Sequence, residues 1–159
     1  MKSRYSAFYE EYKDKLFAYI MRMSGDYELA RELMQESFTR HFQHYGNNDA
    51  HVPSVLFIIA RNALVDHQRR HGRYQQVQDD SLHDGRDEEK TCILREECRG
   101  VEKAFQKLSE ADREMLSLAV GGLAYKQIAT VMGISEANLK VRIHRARIKL
   151  RQMLSNGET

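Results

Sequence analysis

Apolar side chains near the start of the chain fall at helical spacing. Phe8, Tyr12, Leu16 and Ile20 recur every four residues, with Tyr5, Tyr9, Tyr19 and Met23 beside them. This predicts an amphipathic helix of about four to five turns. Ser24-Gly25-Asp26 breaks the pattern, and the Asp26 carboxylate is placed to cap a second helix. There Ala30, Leu33, Ser37, Phe38 and Phe42 form an inner face, while Arg31, Glu32, Gln35 and Glu36 lie largely outside. Turn-forming residues 46–49 follow, and Pro53-Ser54 opens a third helix with Leu56, Ile59, Ala60, Ala63 and His67 inward. Arg61, Asn62 and Arg69 share much of its opposite side. Three helices with short connections make one small bundle.

From Gly72 to about Lys90 the periodicity dissolves into polar, acidic stretches such as Gln75–Asp80 and Asp84–Glu89, a composition expected of a flexible linker. Val101, Phe105 and Leu108 restore a helical face, and Ser109 with Asp112 forms a capping box before a helix through Met115, Leu116 and Ala119. That helix is expected to stop at Gly121-Gly122. Beyond it, Ile128, Ala129 and Met132 share a face, Gly133 suits a left-handed turn, and Ser135 can cap the next helix. Leu139, Ile143, Ala146 and Leu150 then form a buried stripe, and the whole reads as a helix-turn-helix. The expected fold is all-α, with two small helical domains over residues 1–72 and 99–155 joined by an acidic linker over 73–98.

Composition narrows the function. Hydrophobic content of 42 % and 30 % charged residues are ordinary for a soluble protein. No apolar run approaches the roughly 20 residues that span a bilayer, and the N-terminus lacks the apolar core of a signal peptide. A cytoplasmic protein without membrane insertion is expected. The net charge of +2 hides an asymmetry: residues 1–71 carry 10 basic and 9 acidic side chains, 72–98 carry 4 and 8, and 99–155 carry 11 and 5. The C-terminal part is therefore suited to a polyanion. Cys92 and Cys98 are six residues apart, about 240° around a helix, so they are expected as separate reduced thiols. No C-x-x-C accompanies the seven histidines, and no metal or cofactor is expected. No pair of catalytic groups has spacing that supports enzyme chemistry.

The last helix carries Lys140, Arg142, Arg145, Arg147, Lys149 and Arg151 against one acid, Glu136. With Leu139 at the core, Ala137, Val141, His144, Arg145 and Ile148 point away from it. In a major groove Ala137 and Val141 could touch thymine methyls, and Arg145 a guanine or a phosphate. A helix-turn-helix alone also fits a LuxR-type regulator that binds duplex DNA unaided.

Further stretches favour a different reading. Ala30–Phe38 (ARELMQESF) is similar to an A-x-D-L-x-Q-E-x-F segment, and Ile59–Asn62 with Asp66 and Arg69-Arg70 is similar to I-A-R-N-x-x-x-D-x-x-R-R. Together with the helix-turn-helix, in this order, they resemble the extracytoplasmic-function sigma factors of bacterial RNA polymerase, whose two domains are called σ2 and σ4. The resemblance implies a protein that binds core polymerase and promoter DNA, without a cofactor, and is held silent by an anti-sigma factor. It implies that Glu32, Leu33, Gln35, Glu36 and Phe38 lie in the segment that docks on the β′ clamp helices, with Leu33 and Phe38 fitting better as bundle core. The σ4 domain is expected at the β flap. For the −10 element it implies Asn47, Asn48, Asp49, His51, Arg61, Asn62, Arg69 and Arg70. For the −35 duplex it implies Ser135, Ala137, Lys140, Val141, Arg142, His144 and Arg145. Family members often carry Trp in the second and third helices, where this chain has Phe42 and Val55. A small polar Ser is common where Val141 stands.

Overall fold

The computed structural model describes residues 4–46, 51–72 and 99–157. The expectations for Asn47, Asn48, Asp49, the linker and both cysteines lie outside those residues. Among the described residues all regular structure is helical. α1 spans Arg4–Ser24, α2 Tyr27–Tyr45 and α3 Pro53–His71. α4 is helical over 99–106, followed by α5 (Glu110–Val120), α6 (Tyr125–Met132) and α7 (Glu136–Gly157).

Local chemistry explains the boundaries. Asp26 Oδ1 accepts the Leu29 amide at 3.1 Å, and Ser109 Oγ accepts that of Asp112 at 3.2 Å. Each satisfies one of the amides that a helix start leaves without a partner. Pro53 occupies the first turn of α3, where a missing N–H carries no penalty. At the end of α6, Gly133 takes φ 70°, ψ 32°. The Ile134 amide returns to Ala129 O at 3.1 Å and that of Gly133 to Thr130 O at 3.3 Å, the paired bonds of a Schellman turn.

α1, α2 and α3 pack on one another, as do α5, α6 and α7. The two groups also meet directly: α1 packs on α5 and α3 on α6. One apolar cluster consequently runs from Leu16, Ile20, Leu56 and Phe57 to Met115, Leu118, Ile128, Leu139 and Ile143. Burial of each such large side chain contributes roughly 1.5–3 kcal/mol before the cost of ordering it.

The inner faces of the bundle differ from those expected. His41, 1 % exposed, takes the inward place on α2, and Phe42 is 54 % exposed. His41 stacks on Phe8 with ring centroids 5.1 Å apart and lies 3.1 Å from the Tyr5 hydroxyl, which donates to Phe38 O at 3.0 Å. A histidine so packed and hydrogen-bonded can occupy a core position. On α3, Phe57 and Leu64 join Leu56 and Ala60 in the core, while Ile59, Ala63 and His67 are half-buried. The buried arc turns because α3 packs against α6 as well as against α1 and α2.

Candidate nucleic-acid and polymerase interface

α7 is positioned by its own start. Ser135 Oγ accepts the Asn138 amide at 3.1 Å, and the Gly133 turn directs the chain into this helix. Leu139, Ile143 and Ala146 then fix its inner stripe, each no more than 1 % exposed. The opposite face carries Ala137, Val141, His144, Arg145 and Ile148, all exposed as expected, with Lys140 exposed on the flank and Ser135 at the helix start. Val141 and Ile148 are 49 % and 39 % exposed. An outward stripe of branched apolar side chains between arginines suits a groove lined by thymine methyls and phosphates. Arg142 is half-buried, at the edge of the inner stripe. Lys140 lies 3.8 Å from Glu136 across an exposed pair, an interaction weak enough to exchange for a phosphate.

On α2, Glu32, Gln35 and Glu36 form an exposed polar surface, with Glu36 paired to Arg40 one turn on. Leu33 and Phe38, 6 % and 4 % exposed, lie in the bundle core and present no surface to a partner. Within that segment they support the helix from beneath, which agrees with their better fit as bundle core.

On α3, Asn62 and Arg69 are exposed and, with Arg40, Ala63, Val65 and Asp66, line a shallow depression of about 300 Å³. Arg70 is exposed, and its guanidinium donates to Asp66 at 2.9 Å. His51 is half-buried, its ring edge-on to Tyr5 at 5.1 Å and tilted against Phe8 at 5.3 Å. Arg61, also expected at the −10 element, is half-buried. It is turned toward the other half of the molecule, where its Nε donates to Glu114 Oε1 at 2.9 Å.

Three features were missed in the sequence. Arg40 borders the same depression as Asn62, and its arrival there depends on how α2 and α3 pack. Glu114 is 7 % exposed on α5 and also accepts the Tyr19 hydroxyl at 2.7 Å. Burial, then the Glu114 charge, pushes the Tyr19 pKa well above its ordinary value, so this hydroxyl keeps its proton and donates. His67 and His71 sit one turn apart on α3 with ring centroids at 4.4 Å, and no group of three metal-ligating side chains forms among the described residues. Among those residues, too, no helix is long and apolar enough to cross a membrane.

A capped helix-turn-helix with a cationic outer face, joined to a helical bundle with polar and cationic faces, has the form and charge of a DNA-binding protein. Sigma-70 region 2 matches residues 8–74, and sigma-70 region 4 matches residues 98–150. ECF RNA polymerase sigma factor SigM of Bacillus subtilis is 31 % identical over 153 residues, covering 94 % of each chain. The sigma factor SigL of Mycobacterium tuberculosis is 30 % identical over 158 residues, covering 93 % of this chain and 87 % of its own. Among solved structures, the sigma factor RpoE in complex with the anti-sigma factor NepR from Bartonella quintana superposes with a TM-score of 0.67 at 20 % identity, over 94 % of this chain and 97 % of that one. CnrH in complex with the cytosolic domain of CnrY gives 0.69 at 22 %, over 96 % and 88 %. At these identities the likeness is one of fold. The chain belongs to the extracytoplasmic-function RNA polymerase sigma factors of the sigma-70 family, a family not known for enzymes.

Proposed function

We propose that this chain binds core RNA polymerase and directs transcription from promoters with paired −35 and −10 elements. The observation that carries this is the presence of both sigma-70 regions in one chain, in order, with relatives aligned along nearly its whole length. α7 reads the −35 duplex, with Ala137, Val141 and Arg145 at base edges and Lys140, Arg142 and His144 holding phosphate. Ser135 fixes the start of that helix. Asn62, Arg69 and Arg70, together with the segment from Asn47 to His51, engage the −10 element, where amide groups can pair with an unstacked base edge. Glu32, Gln35 and Glu36 meet the β′ clamp helices, and the C-terminal half meets the β flap.

Residues 73–98 form the tether between two units of 1–72 and 99–155. Their acidic run enters the basic channel near the polymerase active site, where it mimics the charge of nucleic acid. Phosphodiester chemistry belongs to the polymerase, and this chain contributes position and DNA opening. It works in the bacterial cytoplasm, under an anti-sigma factor. A structural neighbour, the sigma factor RpoE solved in complex with the anti-sigma factor NepR, supports the last point.

Run-off transcription with purified bacterial core polymerase on a promoter library tests the proposal. Transcripts that depend on the protein, from promoters sharing two separated motifs, are expected. No transcript, combined with tight duplex binding by the protein alone, overturns it in favour of a LuxR-type regulator.

A further inference from the structure

Glu114 is a carboxylate set among the core residues Met115, Leu116 and Leu118 of α5, and its side chain is only 10 % exposed. A buried carboxylate is tolerated where its oxygens are paired and hydrogen-bonded. Here each oxygen has a partner from the other half of the chain: Tyr19 of α1 on Oε2 at 2.7 Å and Arg61 of α3 on Oε1 at 2.9 Å. Tyr19 is itself fully buried, its ring 5.6 Å from Phe57. The Lys15 amine of α1 reaches the turn after α5, standing 3.3 Å from where a Cβ on Gly122 would lie. Packing of α3 on α6 completes a contact between the two halves.

This closed arrangement is incompatible with the proposed task. Elements at −35 and −10 are about 25 base pairs apart, or roughly 85 Å along B-form DNA. A compact chain of this length has a radius of gyration of about 15 Å and is roughly 40 Å across. It cannot place α7 on one element and α3 on the other while α3 and α6 remain packed. Closure also holds Arg61, one of the residues aligned with the −10 segment, on an internal carboxylate.

We infer that the Tyr19–Glu114–Arg61 contact is a latch that holds the free chain closed and opens when the chain joins core polymerase and promoter. The inference rests on the sigma-factor reading above. The latch joins groups that are all readily hydrated, so opening exposes no unpaired charge to an apolar surface. Separation frees Arg61 for DNA and Glu114 for water. The apparent affinity for polymerase is lowered by the fraction of chains held closed, so a tenfold excess of the closed form weakens binding about tenfold.

The test uses the full chain in three forms besides wild type. Glu114→Lys sets like charges against each other at the latch, Tyr19→Phe removes one oxygen, and the double variant Arg61→Glu, Glu114→Lys restores opposite charges in swapped positions. Small-angle scattering of the free chains and titration onto core polymerase are the readouts. Glu114→Lys is expected to raise the radius of gyration by several ångström and tighten binding to core about tenfold. Tyr19→Phe moves both in the same direction by less, and the charge swap returns the scattering toward wild type. At saturating protein, promoter-specific transcription by Glu114→Lys matches wild type.

Unchanged scattering and unchanged core affinity in both single variants overturn the latch, even where wild type transcribes normally. Absence of transcription by wild type overturns the sigma-factor reading instead. Should Glu114→Lys lose helical content, Tyr19→Phe, which preserves shape, decides alone.

Discussion

α7 and α3 carry the residues proposed to face DNA in the two halves, and they differ in readiness. α7 packs through one stripe against α5 and α6, so its outer face from Ala137 to Ile148 stands open. α3 is held by α1 and α2 and again by α6, and Arg61, expected at the −10 element, is already paired with Glu114. One reading surface is preformed and the other is partly occupied from within. A helix covered on several sides gives up surface for stability, and the inferred latch lies on this helix.

The sharpest way to break this comparison is through the shared core. Leu139→Ala removes a fully buried side chain from beneath the open face of α7 and should cost about 2–5 kcal/mol. Because the apolar cluster is continuous, urea unfolding followed by tyrosine fluorescence, which reports mainly on α1 and α2, should shift together with helical ellipticity. A split curve, with the tyrosine signal unmoved, would show that the halves are energetically separate.

A second effect concerns the open face alone. Arg145→Ala should weaken promoter binding by the assembled polymerase by about 1–3 kcal/mol, roughly fivefold to 150-fold, if it pairs with a base. The loss should be confined to promoters with the preferred −35 sequence, as measured by competition between mutated templates. An equal loss on every template would reassign Arg145 to phosphate.

Smaller still is the effect of the cap that aims α7. Ser135→Ala leaves the Asn138 amide without its 3.1 Å partner and should cost about 1 kcal/mol, read as a lower thermal midpoint.

The occupied half has a pH response of its own. Burial, and then the neighbouring His51, lowers the His41 pKa below its ordinary 6.5. The ring also faces Tyr5, whose hydroxyl burial pushes up to about 12 and which therefore stays neutral, and the uncharged Phe8. The unfolded chain thus takes up the proton first. Stability from this site is complete above the unfolded pKa and is lost as pH falls through the depressed folded value. Denaturation midpoints should decline as pH drops from 7 toward 5, and His41→Gln should flatten that decline even if it lowers the midpoint at neutral pH. His67, lowered chiefly by burial and then by His71, adds a further contribution of the same sign.

Legibility in the sequence followed the range of the forces involved. Helix starts at Asp26, Ser109 and Ser135 and the turn at Gly133 are set by neighbours within a few residues, so spacing and residue type sufficed to place them. The family-like segments and the outward stripe of α7 were legible for the same reason. Core membership depends on what packs from outside the helix. Leu16, Leu56 and Leu139 were clear, but Phe42 gave its inward place to His41, and the α3 arc turned toward Phe57 and Leu64 under the pressure of α6. The contact at Glu114 was not legible. In the sequence that glutamate is one more acid in an amphipathic helix, and nothing local announces that Tyr19, 95 residues earlier, and Arg61 will meet it.

The central claim is that two differently exposed helices divide one promoter between them. The most direct test is selection from a randomised promoter library by polymerase carrying wild type, Val141→Ala or Asn62→Ala, with the recovered templates sequenced. Val141→Ala should alter base preference only within the −35 element, and Asn62→Ala only within the −10 element, both in a polymerase-dependent manner. Changes falling in the same element, or preferences that persist without polymerase, would contradict the division.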